Sequence, residues 1–304
     1  MDATTLVPPV VPPLTSRAHW LNRAPLYRLA AGAAGAIPRG ARLTLAEALG
    51  TLAARACRPE AAVVRANLAR VTPGLTEAAR TRQVATLFRH FAMCVADLVT
   101  TNRTPAAAAL GADEEGRAHV DAALARGGFV VLTAHVGNWE LAGRLLMRRA
   151  DGRPLHVVMA READPGVERL LRADGPVRIV TLRTPAEAVP LVAALRRGEI
   201  VGMQGDRALG HRGDVAIDFF GAPARFPLGP FLLARAAGVP VVPAFCVMRA
   251  DRRYTVIVQP PIPVERGGEE EALGRYVAGL AAVIARHPTQ WFAFDDPWGA
   301  PRAL

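Results

Sequence analysis

The chain has 304 residues, enough for one large α/β domain with an ample core. It carries 37 basic and 27 acidic side chains for a net charge of +10, with no Lys, yet 51% of its residues are hydrophobic. The Arg residues are dispersed with few aromatics between them, which argues against nucleic acid and for anionic lipid or acidic carrier-protein partners.

Cys57, Cys94 and Cys246 are odd in number and widely spaced in apolar surroundings, so they read as buried free thiols, not as a disulfide framework or a zinc site. Acidic Asp2 and four prolines by Pro13 speak against a signal peptide. No stretch approaches the roughly 18 apolar residues that span a bilayer. With so much apolar content, attachment to a membrane surface is expected instead.

Residues 1–16 read as a disordered Pro-rich arm. Residues 19–37 mix Trp20, Leu21, Leu26 and Tyr27 with Arg23 and Arg28, just after Arg17, a pattern that suits either an interfacial helix or a core helix. Helices follow at 43–57, 59–71 and 76–103. An alternating series comes next, with helix 113–126, strand 129–134, helix 139–150, strand 155–160, helix 164–173, strand 177–182, helix 185–197 and strand 199–203. Short links and this alternation predict parallel pairing with right-handed crossovers. A strand near 215–220, helix 228–237 and strands 239–248 and 254–259 extend the sheet, in part antiparallel. Helix 271–287 and an aromatic tail close the chain. The fold class is α/β, a single mixed, largely parallel sheet flanked by helices. The expected organisation is one domain over 17–304, with a helical part at 17–110 and an α/β core at 111–304.

The chemistry concentrates at residues 129–141. The apolar run Phe129 to Leu132 suits a strand buried on both faces. Gly137 and Asn138 supply turn and N-cap chemistry, and a helix starts at Trp139. His135 therefore sits at a strand end, where α/β sheets build their sites. Glu140 falls in the first helical turn. Across such a corner a carboxylate can fix the imidazole tautomer and leave the other nitrogen free to take a proton from a hydroxyl. A core histidine beside an ordinary helix-start acid is the competing reading. His156 lies inside a strand pattern and reads as structural, as His211 reads as solvated loop. No His, Cys and acid cluster has metal-ligand spacing.

Three later segments carry polar groups at sheet edges: Met159-Ala160-Arg161-Glu162, Gly202-Met203-Gln204-Gly205-Asp206-Arg207 and Asp218-Phe219-Phe220-Gly221-Ala222-Pro223. With the His-Val-Gly-Asn-Trp-Glu corner and a late Pro-x-Gln-Trp, their order and spacing resemble the lipid A biosynthesis acyltransferase family, the late lauroyl and myristoyl acyltransferases, over about residues 17–298. Phosphatidylinositol mannoside acyltransferases belong to the same group.

The resemblance implies a glycerolipid-acyltransferase-like fold and an O-acyltransferase at the cytoplasmic face of the bacterial inner membrane, peripheral or monotopic. A fatty acyl chain would pass from an acyl carrier protein or coenzyme A thioester to a hydroxyl of a lipid-linked acceptor, with no bound cofactor and no metal. His135 would be the general base and Glu140 its orienting acid. Asn138, Arg161, Asp206 and Arg207 would bind substrate, with Asp206 alternatively bracing the loops through an ion pair to Arg207 or Arg161. The oxyanion would be met by Arg161 or by a backbone N–H near Gly137. Where the family commonly ends in a basic Arg-Trp, this chain has Asp295 and Asp296, which leaves the acceptor open among lipid A, phosphatidylinositol mannosides, other glycolipids and specialised-metabolite lipids. A thioesterase using the same His and Glu on water, and a non-catalytic lipid or carrier-protein binding module, are the alternative functions.

Overall fold

The computed structural model describes residues 37–101, 112–159, 177–182, 184–208, 210 and 213–299. The Pro-rich arm, the expected helix at 19–37 apart from its last residue, helix 164–173, Arg161 and His211 lie outside them. The N-terminal elements are α1 (Arg39–Ala56), α2 (Arg58–Val71) and α3 (Glu77–Thr101), then β1 (Ala112–Glu115), α4 (Arg117–Arg126), β2 (Phe129–Thr133) and α5 (Trp139–Met147). Next come β3 (Leu155–Val158), β4 (Val177–Val180), α6 (Val189–Arg196), β5 (Ile200–Gln204), β6 (Asp214–Phe219) and β7 (Ala222–Pro227). The chain continues with α7 (Gly229–Ala237), β8 (Val241–Met248), β9 (Tyr254–Val258) and α8 (Glu269–Arg286).

Among the described residues seven strands form a mixed sheet in the order β1-β9-β8-β2-β5-β3-β4. Every neighbouring pair is parallel except β8 with β9. β8 shows why the sheet lies between two helical layers: all eight of its residues are buried, and they alternate faces. Val241, Phe245 and Val247 join one core with Leu273, Tyr276 and Leu280 of α8 and Phe231 of α7. Val242, Ala244, Cys246 and Met248 join the other, with Leu43 of α1, Leu68 of α2, Leu87 of α3 and Leu141 of α5. The N-terminal helices thus cover the face opposite α8.

Three elements differ from the sequence reading. Residues 112–115 are a strand, not the start of a helix. Gly116, at φ 78°, breaks the chain before α4, and Asp113 and Glu115 meet Arg253 (3.4 Å) and Arg286 (3.2 Å) instead of stacking in a helical first turn. The strand near 215–220 does not extend the main sheet. β6 pairs antiparallel with β7 in a separate hairpin, turned by Phe220 (φ 53°) and Gly221 (φ 76°). β7 itself was not anticipated, because its two prolines read as loop.

Candidate active site

β2 buries Phe129, Val130, Leu132 and the following Ala134, and the chain then turns sharply. The Val136 N–H donates to the Ala134 carbonyl (2.7 Å), making His135 the centre of a γ-turn. At Gly137 φ is +58° and a Cβ would lie 2.0 Å from the Cys246 carbonyl oxygen, so the turn admits only glycine. Asn138 caps α5, its Oδ1 accepting from the Leu141 N–H (3.3 Å).

The late segment clamps this corner. The Phe292 N–H donates to the His135 carbonyl (2.8 Å), Gly137 N–H to the Gln290 carbonyl (2.8 Å) and Asn138 N–H to the Cys246 carbonyl (2.7 Å). Gln290, buried, pairs its side-chain amide both ways with the Met248 backbone, accepting at 2.7 Å and donating at 2.6 Å. The Pro-x-Gln-Trp motif does not announce this role, because a lone Gln in a short aromatic segment gives no signal of it.

β5, parallel to β2, delivers the carboxylate. The ladder continues as Gly205 N–H donates to the Thr133 carbonyl (2.9 Å), and Asp206 follows at 5% exposure. Its Oδ1 lies 2.8 Å from His135 Nδ1, while Oδ2 accepts the His135 backbone N–H (3.0 Å). One carboxylate thus grips both ring and main chain of the same residue. Ionised Asp206 accepts only, so Nδ1 carries a proton, which in the neutral imidazole leaves the lone pair on Nε2. Among the described residues nothing hydrogen-bonds Nε2.

Burial alone would raise the Asp206 pKa. The His135 ring and N–H and the Arg207 charge outweigh it and hold the carboxyl below its ordinary value. Tyr276, whose hydroxyl donates to the Thr133 carbonyl (2.8 Å), is pushed the other way, well above a normal phenol, by burial and by the Asp206 charge.

Aromatic rings line the other side. The Trp139 ring stands 5.0 Å from the His135 ring, and Phe292 packs against Trp139 at 6.4 Å. Phe91 meets Phe292 at 5.2 Å and Phe294 at 5.1 Å.

The sequence-predicted residues sort accordingly. His135 and Asp206 come together, and the carboxylate on Nδ1 is that of Asp206, not of Glu140 as the short His-x4-Glu spacing had suggested. Glu140 lies in the first turn of α5, where its charge partly offsets the lowering that burial imposes on Arg144. Asp206 is therefore a buried partner of His135. Asn138, at 3% exposure, spends its amide on protein groups. Arg207 is exposed, and its guanidinium reaches the Phe292 carbonyl (3.3 Å) and Asp295 (3.9 Å). The N–H groups of Val136, Gly137 and Asn138 are all taken by carbonyls, so they are not spare oxyanion donors. Among the described residues no group of three His, Cys, Asp or Glu side chains is placed to hold a metal ion.

A His–carboxylate pair at the carboxyl ends of parallel strands is common to many enzymes. The family model for bacterial lipid A biosynthesis acyltransferases narrows it, matching residues 19–299. The chain belongs to that family of acyltransferases. It is also 31% identical over 190 residues to the phosphatidylinositol mannoside acyltransferase of Mycobacterium tuberculosis, a match covering 60% of this chain and 58% of that protein. The enzyme of the same name from Mycolicibacterium smegmatis is 28% identical over 188 residues, covering 59% and 60%. The chain thus matches a little under two thirds of the length of these relatives, and the family match includes both the His135 corner and the Asp206 turn.

Proposed function

We propose that the protein is an O-acyltransferase that moves a fatty acyl chain from a carrier-protein or coenzyme A thioester to a hydroxyl of a membrane glycolipid. The His135–Asp206 pair with Nε2 open, within a chain of this family, carries the reading. His135 Nε2 takes the proton as the acceptor oxygen bonds to the thioester carbon, and Asp206 stabilises the imidazolium that forms. The tetrahedral intermediate then collapses. Its carbon–sulfur bond breaks, and the thiolate leaves with the proton that Nε2 returns. Glu140 supports the corner electrostatically, and Arg161 and Arg207 bind the polar part of a substrate.

The acceptor to test first is a phosphatidylinositol mannoside, the substrate named for the mycobacterial relatives. The enzyme works peripherally at the cytoplasmic face of the inner membrane. Its net charge of +10 supports this, as do Leu45, Leu49 and Leu52, which stand 53–59% exposed along one face of α1. Among the described residues no helix is long and apolar enough to cross a membrane.

The experiment gives purified protein an acyl thioester with and without phosphatidylinositol mannoside, and reads free thiol and acylated lipid by mass spectrometry. Acceptor-dependent thiol release that His135→Ala abolishes is the expected result. Release indifferent to acceptor marks a thioesterase, and no release with any lipid acceptor defeats the proposal.

A further inference from the structure

We infer that Asn138, Tyr254 and Asp97 form a positioning network that ties the N-terminal helices to the catalytic corner and holds the start of α5 against His135. The inference rests on the acyltransferase reading for its kinetic consequence, not for its geometry.

Asp97 of α3 is fully buried. Arg39 of α1 grips it with two nitrogens, Nε at 3.1 Å and Nη2 at 2.7 Å. The hydroxyl of Tyr254, the first residue of β9, donates to Asp97 Oδ2 (3.0 Å) and accepts from Asn138 Nδ2 (3.3 Å). Burial, with the Asp97 charge adding to it, pushes the Tyr254 phenol well above its usual range, so the hydroxyl stays a donor. Asn138 Nδ2 also donates to the Cys94 carbonyl of α3 (3.3 Å), while Oδ1 takes the Leu141 N–H of α5.

Three elements, α3, β9 and α5, therefore meet on one side-chain amide three residues after His135. Capping alone does not need an amide, since Ser and Asp cap as well. Accepting from α5 while donating twice does: Asp cannot donate, and Ser offers one proton on a shorter arm. What the amide pins is the helix start whose Trp139 ring lies 5.0 Å from the His135 ring. Loosening it misplaces the base relative to the thioester without removing any group that binds the thioester, so the loss falls on kcat and not on KM.

Asn138→Ser and Tyr254→Phe test this. The first keeps a capping oxygen and loses the paired donors. The second keeps the ring and leaves Asp97 its Arg39 partner. Each single variant is expected to lose about tenfold or more in kcat with KM for the thioester changed by less than about twofold. The double variant is expected to be no worse than the poorer single one, since both break one network. In each, the downfield proton resonance of His135 Nδ1–H should broaden through faster exchange with water.

Wild-type kcat and a sharp resonance in Tyr254→Phe overturn the inference, as does a double variant whose losses multiply. If Asn138→Ser fails to fold, Tyr254→Phe carries the test by itself. A wild-type protein that transfers no acyl group defeats the proposed reaction instead, and the resonance in the same variants still decides whether the network holds the corner.

Discussion

Strand β5 has a His–carboxylate pair at each end. Before it, Glu199 bonds His156 Nε2 at 2.6 Å and shares its other oxygen with Arg197 (2.8 Å). Past it, Asp206 bonds His135 Nδ1 at 2.8 Å. Separation does not tell the two apart, and neither does residue type. His156 is a residue of β3 with its neighbours fixed by the ladder, whereas His135 has left β2 on a γ-turn. The Asp206 carboxylate is buried and also holds the main chain of its histidine; the Glu199 carboxylate is split with an exposed Arg. In a parallel sheet the carboxyl ends open onto the crevice where ligands bind. Position along the sheet, more than the pair itself, makes one a candidate catalyst and the other a staple.

The sharpest way to break that contrast is to remove each histidine in turn. His135→Gln is expected to lower acceptor-dependent thiol release by roughly a hundredfold or more, while His156→Gln stays within about twofold of wild type. Equal losses would erase the distinction. Next in size is Gly137→Ala, whose new Cβ would meet the Cys246 carbonyl at 2.0 Å in a left-handed conformation; denaturant unfolding should show a loss of about 1–3 kcal/mol. Glu199→Gln is expected to cost only about 1 kcal/mol in the same assay and to leave turnover unchanged, since the amide oxygen can still accept from His156 Nε2 and the other partner, Arg197, is exposed.

The smallest effect is on acid stability. Burial lowers the pKa of His90, whose Nδ1 donates to the Thr289 carbonyl (3.2 Å), from its ordinary 6.5. The unfolded chain then binds the extra proton first, so stability falls as pH drops below 6.5 toward the folded value, and His90→Asn should flatten that part of a melting-temperature curve. Asp206 acts later. Its folded pKa is depressed, so its contribution is complete above the unfolded value of 3.8 and is lost as pH falls through the folded value. An acid profile that His90→Asn leaves unchanged would count against the first assignment.

Much of this was legible in the chain. Val-rich runs marked β2 and β8, and the change from an apolar run to Gly-Asn-Trp marked the corner. The choice of carboxylate was not. Glu140 is five residues from His135, but Asp206 is 71 away and reaches it only because β2 and β5 pair in parallel, with Thr133 opposite Gln204. Register between distant strands leaves no local trace. β1 was hidden for a different reason, since Ala-Asp-Glu-Glu favours a helix start and it becomes a strand through parallel pairing with the distant β9, its acids meeting Arg253 and Arg286. The Asn138 network was equally invisible, because Asp97 and Tyr254 lie on elements 157 residues apart.

In the proposed mechanism Asp206 works through His135. The direct measurement is the pH–rate profile of thiol release by wild type and Asp206→Asn with the same thioester and acceptor. The amide cannot hold the imidazolium, so the account predicts that kcat falls by about 10²–10⁴-fold across the profile with the fold retained. Asp206→Asn turning over at the wild-type rate with an unchanged profile would contradict it.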